Sequence, residues 1–395
     1  MKRRDFCIRL LKAGSAVALA PLVQACTPAE PEAPTPTATS TPAPTPTASP
    51  SPTATQPPSP TGTATVAASP TPTPTAQPLG RVAQPLGRVD QSAGRVALVR
   101  TRDRVAGMRR AVELLGIRPA AGKHVLLKPN LNSADPPPGS TDTAMLRELL
   151  VLLNDMGASA ITLADRSGMG NTTAVMQAKG LPDLAEELGL DLIALDTLPE
   201  SDFTLITDAD FHWPQGFAVP RLLLEAECVI QTCCLKTHRY GGHFTMSLKN
   251  SVGLVPGTPS GAAFVGSHNY MRDLHDSPHQ RLMIAEINAA YRPDLIVMDG
   301  VEAFVQGGPA TGTRAPTEVM LASTDRIAID AVGVALLRMH GTTPEVNRGR
   351  IFEQEQIARA VELGLGIDAP DKIELITADP QSAAYADDIR RTLTA

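Results

Sequence analysis

The run Cys228-Val229-Ile230-Gln231-Thr232-Cys233-Cys234-Leu235-Lys236-Thr237-His238 joins a largely apolar segment to a cluster of polar side chains. Residues 228–232 read as a strand covered on both faces, as in a parallel sheet. Comparable runs predict strands at 96–100, 124–128, 159–164, 295–298 and 373–377. Amphipathic segments between them predict helices at 104–115, 143–156, 181–188, 281–291, 327–339 and 351–363. This alternation predicts an α/β class: a layered, mostly parallel sheet with flanking helices and right-handed crossovers.

Ligands of such sheets bind beyond the carboxyl ends of the strands, so the residues following each strand carry the functional expectation. They are Lys128-Pro129-Asn130-Leu131-Asn132, Asp165-Arg166-Ser167-Gly168, Cys233-Cys234-Leu235-Lys236-Thr237-His238 and Asp299-Gly300. One polar residue at a strand end is usually a turn former. Four in succession predict a common cleft.

The densest polar stretch, Lys236 to Asn250, adds His243, Lys249 and Asn250 and contains the pair Gly241-Gly242. Residues 245–250 are expected to open a helix whose N-terminal amides favour an anion. Lys236 and Lys249 would add charge for a carboxylate or phosphate. His238 and His243, with His268, His275 and His279, are candidates for proton transfer or for metal ligation beside Asp165 or Asp299. His243 and His268 are the metal candidates, although no H-E-x-x-H or H-x-H spacing is present and the segment 257–277 reads as an irregular loop or lid. Gln306-Gly307-Gly308-Pro309 reads as a tight turn, and Ser323-Thr324-Asp325 as a helix start. Asp330 falls in an apolar helical stretch and is expected either to pair with Lys236 or Lys249 or to face solvent.

Upstream, the composition changes. Met1-Lys2-Arg3-Arg4-Asp5-Phe6 has the form of a twin-arginine signal, and its apolar run at 13–23 is too short to span a bilayer. Leu22-Val23-Gln24-Ala25-Cys26 resembles a lipobox, so 1–26 is expected to be a lipoprotein signal, with the lipid on Cys26. Residues 27–94 are rich in Thr and Pro and carry a short Gln-Pro-Leu-Gly-Arg-Val repeat. They have little to bury and are expected to form a disordered, partly polyproline-II tether. A single α/β domain is then expected over 95–380, with a C-terminal helix at 381–395.

A net charge of −6 and 3% aromatic residues argue against nucleic acid as a partner. Cys228, Cys233 and Cys234 lie too close together for a disulfide framework. Without a C-x-x-C pair, no iron–sulfur cluster is expected. No G-x-G-x-x-G or Walker pattern is present, so a nucleotide site is unsupported.

The folded part resembles the bacterial and archaeal family called domain of unknown function 362. The resemblance rests on Leu127-Lys128-Pro129-Asn130, Asp165-Arg166-Ser167-Gly168, Leu235-Lys236-Thr237-His238 and Leu248-Lys249-Asn250. Asp299-Gly300, Gly307-Gly308-Pro309, the 323–330 segment and Gly364-Leu365-Gly366 extend it over roughly residues 95–380. Some members carry iron–sulfur cysteine motifs, which this chain lacks. The resemblance implies the domain and no particular reaction.

Two readings of function follow. In the first, an extracytoplasmic enzyme holds a small anion with Lys128, Asn130, Ser167, Lys236, Lys249 and Asn250. His238, with Asp165 or Asp299, moves a proton. In the second, a lipoprotein captures an anion or divalent metal without catalysis. Both place the chain outside the cytoplasm, held to the membrane through Cys26, with the twin-arginine translocase as its export partner.

Overall fold

The computed structural model describes residues 92–257 and 268–395. The expected signal, Cys26, the repeat and the tether up to residue 91 lie outside the described residues. Eleven strands occur among the described residues: β1 (Gly94–Arg100), β2 (His124–Lys128), β3 (Ala160–Asp165), β4 (Asp191–Ala194), β5 (Phe203–Ile206), β6 (Phe217–Pro220), β7 (Cys228–His238), β8 (His243–Thr245), β9 (Leu295–Gly307), β10 (Gly312–Ser323) and β11 (Ile373–Ile376). Nine form one sheet in the order β11-β1-β10-β9-β7-β2-β3-β4, with β8 added to β7. β5 and β6 form a separate antiparallel pair.

The sheet is mostly parallel. The neighbours β9-β7, β7-β2, β2-β3 and β3-β4 run in the same direction, as do β1 and β11. β10 is antiparallel to both β1 and β9. The continuous apolar run Leu295-Ile296-Val297-Met298 is accounted for by the layers. Leu295 and Val297 enter a core against the helices Arg104–Leu115 and Thr143–Asp155. Ile296 and Met298 enter the opposite core against Arg326–Met339 and Pro380–Leu393. With both faces covered, the strand has no polar side. The helix Arg326–Met339 is apolar on nearly every side because it lies inside that second layer. Its N-cap, Asp325, accepts the amides of Ile327 and Ala328, as the Ser-Thr-Asp start predicts.

Three departures from the sequence reading matter for function. β7 and β9 run six and nine residues beyond their expected ends at 232 and 298, because Leu235, Ala303 and Val305 continue the buried pattern. β9 then turns at Gly307-Gly308, both at positive φ, into the unforeseen strand β10. Pro316 and an exposed first half disguised β10. Within the segment read as irregular, Tyr270–Asp276 is a helix capped by Asn269. Among the described residues, no helix is long and apolar enough to cross a membrane. Cys228, Cys233 and Cys234 are free and buried, and burial pushes the Cys234 thiol up to about 12.

Candidate functional site

β2, β3, β4 and β7 point their carboxyl ends into one cavity of about 1120 Å³. It spans three inter-strand steps, about 14 Å at ~4.8 Å per step. Of the sequence candidates, Lys128, Asn130, Asp165, Ser167, His238, Lys249 and Asn250 line it.

Their arrangement follows from one buried network. Lys128 Nζ donates to Asp165 Oδ1 at 2.7 Å, to Asn250 Oδ1 at 3.1 Å and to the Pro129 carbonyl at 3.0 Å. Asp165 also accepts the amides of Leu131 and Arg166, each at 2.8 Å. Burial pushes the Lys128 amine down and the Asp165 carboxyl up, while their mutual attraction opposes both shifts. Gly253 permits this closeness, because a Cβ there would lie 2.5 Å from Asp165 Oδ1. Asn250 donates to the Thr232 carbonyl at 3.0 Å, which ties the loop to β7. Lys236 is fully buried behind the wall, donating to Asn130 Oδ1 at 2.9 Å and to the Gly139 carbonyl. It therefore orients Asn130 and does not itself line the cavity.

Arg166 is also buried, and its guanidinium is held by carbonyls: Val255 at 2.7 Å, Val252 at 2.9 Å and Ser167 at 3.0 Å. Lys249 differs from all of these. It is 8% exposed, lines the cavity, and its amine makes no hydrogen bond or ion pair among the described residues. Burial, then nearby Lys236 and Arg166, lowers its amine to about 7.

The short helix carrying Lys249, Ser247–Asn250, starts on a carboxyl group that belongs to the protein. Asp330 Oδ1 and Oδ2 accept the amides of Ser247 and Leu248 at 2.8 and 2.9 Å. The expected pairing of Asp330 with Lys236 or Lys249 does not form, nor does it face solvent. Burial raises its carboxyl to about 7. The start of this helix is thus already occupied by a carboxyl of the protein and is not free for a ligand.

The histidines fix their own tautomers. His238 Nδ1 accepts the Gly242 amide at 3.3 Å, which leaves the proton of a neutral ring on Nε2. His275, which also lines the cavity, has Nδ1 2.7 Å from the Met271 carbonyl, so Nδ1 donates and Nε2 keeps a lone pair. Burial first, then the charge of Lys249, holds His238 well below its ordinary value. His275 is lowered by partial burial and by Lys249, against its bond to Met271.

Asp299, by contrast, lies inside β9 rather than at a strand end, because the strand continues past it. It accepts Arg104 Nε at 2.9 Å and does not line the cavity. His243 sits opposite His238 on β8 at a φ of 63°, and His268 is bonded to Asp273 at 2.7 Å. The structure does not bring His243 and His268 together. Among the described residues, no group of three or more His, Cys, Asp or Glu is placed to hold a metal ion.

The sequence reading gave Asn132 and Thr245 no site role and passed over Asp196. Asn132 Nδ2, Asp196 Oδ1 and Thr245 Oγ1 are buried without partners among the described residues, and all three residues line the cavity. Asp196 is held through its other oxygen: the Ser167 amide donates to Thr172 Oγ1, whose hydroxyl donates to Asp196 Oδ2 at 2.8 Å. The signal existed, since Leu192-Ile193-Ala194-Leu195-Asp196 is another apolar run ending in a polar residue.

Gly242 lies between His238 and Lys249. A Cβ on it would meet His238 Nδ1 and Lys249 Cε, each at 2.8 Å. Gly242→Ala should therefore destabilise the protein by about 1–3 kcal/mol. It should also displace both side chains, measured as a lower melting temperature together with loss of anion binding. Unchanged binding would mean that the loop accommodates the methyl group elsewhere.

The fold and cavity define an α/β protein with a polar cavity at the carboxyl ends of its central parallel strands. It belongs to the family described as Domain of unknown function (DUF362), whose model matches residues 125–335. The chain is 29% identical over 264 residues to a protein of Synechocystis sp. (strain ATCC 27184 / PCC 6803 / Kazusa) described as thylakoid-associated protein sll1697. That match covers 63% of this chain and 76% of the relative. Among solved structures, the lactate racemase apoprotein from Thermoanaerobacterium thermosaccharolyticum aligns with a TM-score of 0.36 and 14% identity. The alignment covers 77% of this chain and 88% of that one, and at this score it adds nothing to the fold described above.

Proposed function

We propose that the chain is a lipid-anchored extracytoplasmic enzyme acting on a small anionic substrate held in this cavity. One observation carries the reading. Arg166, Lys236 and Lys249 are buried around the site, and none of their charged groups contacts a carboxylate among the described residues. Buried charges are normally paired, because an unpaired one is expensive to desolvate. An anion in the cavity would offset that cost. Asn130, Ser167 and Asn250 would orient it, and the fixed Lys128–Asp165 pair would hold the wall. His275 Nε2 would accept a proton, and His238 Nε2–H would donate a hydrogen bond to the charge that develops. The twin-arginine opening and the lipobox-like segment before Cys26 support export and anchoring.

The test uses the full chain, titrated with phosphate, sulfate, acetate and pyruvate while melting is followed. A ligand at tenfold its Kd should stabilise by about 1.4 kcal/mol, and the effect should vanish in Lys249→Met. If none of the four binds, or if the variant binds as well as the wild type, the anion reading fails. Binding without turnover across a panel of small oxo and phosphoryl anions would support the other role, an anion- or metal-binding lipoprotein. Cys26→Ser should release the protein from the membrane fraction; retention would count against the anchor.

A further inference from the structure

We propose that Lys249 is a nucleophile that captures the carbonyl carbon of an oxo-anion as an imine, so that the substrate class is an anionic aldehyde or ketone. This deepens the reading above and rests on its anion site.

The geometry separates Lys249 from the other buried lysines. Lys128 has three acceptors for its ammonium protons, and Lys236 has two. Lys249 is as enclosed as many core residues, yet its amine has no acceptor among the described residues and lines the cavity. A buried ammonium with no acceptor leaves strong donors unsatisfied. A neutral amine has much less to lose there, and its lone pair is a nucleophile. The amine's lowered titration, to about 7, agrees with that placement.

The proton-handling groups stand beside it. Lys249 Cε and His238 Nδ1 both approach Gly242, and Lys249 influences both His238 and His275. His238 presents Nε2–H and His275 presents an Nε2 lone pair, so one neutral donor and one neutral acceptor accompany the amine. In the step proposed, the Lys249 Nζ lone pair forms the N–C bond while the carbonyl π electrons move to oxygen. That oxygen takes up the two amine protons, each accepted and handed on by the His275 Nε2 lone pair, while His238 Nε2–H donates a hydrogen bond to the oxygen and keeps its proton. The C–O bond then breaks and water leaves, giving the C=N bond. No oxidant or reductant is required.

The probe is glyoxylate, an anionic aldehyde, added to the full chain at pH 7 with cyanoborohydride, which donates hydride to a C=N bond and fixes it as a secondary amine. Peptide mass mapping then locates the adduct. Lys249 should be modified at least about tenfold faster than Lys123 or Lys372, given the excess of neutral amine expected at neutral pH. Lys249→Arg, which keeps a cation and cannot form an imine under these conditions, should lose the adduct at 249. An unmodified Lys249, or one no faster than the two control lysines, overturns the proposal.

Inorganic phosphate separates this inference from the anion reading. Labelling slowed by phosphate supports both. Labelling indifferent to phosphate keeps the nucleophile and removes the anion site. Absence of labelling, with Lys249-dependent stabilisation by phosphate intact, removes the nucleophile and keeps the anion site.

Discussion

Lys249→Met is expected to raise the melting temperature of the ligand-free protein, and to raise it more at pH 6 than at pH 9. The lysine's amine makes no hydrogen bond or ion pair among the described residues, so the substitution removes no side-chain partner. Met has a similar unbranched length and fits irregular apolar space. What the wild type carries at this position is desolvation of a cation. The amine is lowered from 10.5 to about 7, and burial is the largest cause. Between those two values the unfolded chain binds more protons than the folded one, so wild-type stability rises with pH across that window. Below about 7 the penalty is fully present, and it fades as the pH nears 10.5. At ~1.4 kcal/mol for each tenfold loss of proton affinity, the cost at pH 6 is on the order of a few kcal/mol. The variant escapes it, so its advantage should narrow as pH rises. Melting curves of both proteins at pH 6 and pH 9 measure this directly. A variant less stable than wild type at pH 6 would show that Lys249 is held by favourable contacts and not kept in reserve for a ligand. Stability given up at one residue is a common mark of function.

Much of this site could be read in the sequence for a simple physical reason. A strand covered on both faces is a continuous apolar run, so its end is visible as the first polar residues after it. Lys128, Asp165 and the Lys236–His238 cluster were located that way, and three of those strand ends do converge. The same rule misplaced Asp299. There the apolar pattern resumes at Val301, and β9 continues because β10 pairs with it. β10 itself is polar and exposed over its first half, so its periodicity gave little signal. Asp196 escaped because β4 is only four residues long. Other features had no local signature at all. The bonds from Asp330 to the amides of Ser247 and Leu248 join residues more than eighty positions apart. Likewise, the neutral tautomers of His238 and His275 are set by Gly242 and Met271, and become legible only once the backbone is placed.

Asp165→Ala should be the most damaging single change in the cavity wall, and a second substitution should partly rescue it. The carboxylate accepts Lys128 Nζ and the amides of Leu131 and Arg166, and it is 1% exposed. Its loss leaves Lys128 buried with only the Pro129 carbonyl and Asn250 Oδ1, and leaves two amides without their acceptor. Removing one partner of a buried ion pair typically costs about 3–5 kcal/mol. For a folded part of this size that corresponds to a fall of roughly 10 °C, at ~2–4 °C per kcal/mol. Lys128→Met alone should also destabilise, because it strands Asp165 instead. Added to Asp165→Ala, however, the same Lys128→Met should stabilise, since it removes the stranded cation. The sign of one substitution thus reverses with the state of its partner, and a double-mutant cycle followed by chemical denaturation measures it. Equal destabilisation by Lys128→Met in both backgrounds would mean that the two charges act independently, and that the wall of the cavity is held by the backbone contacts alone.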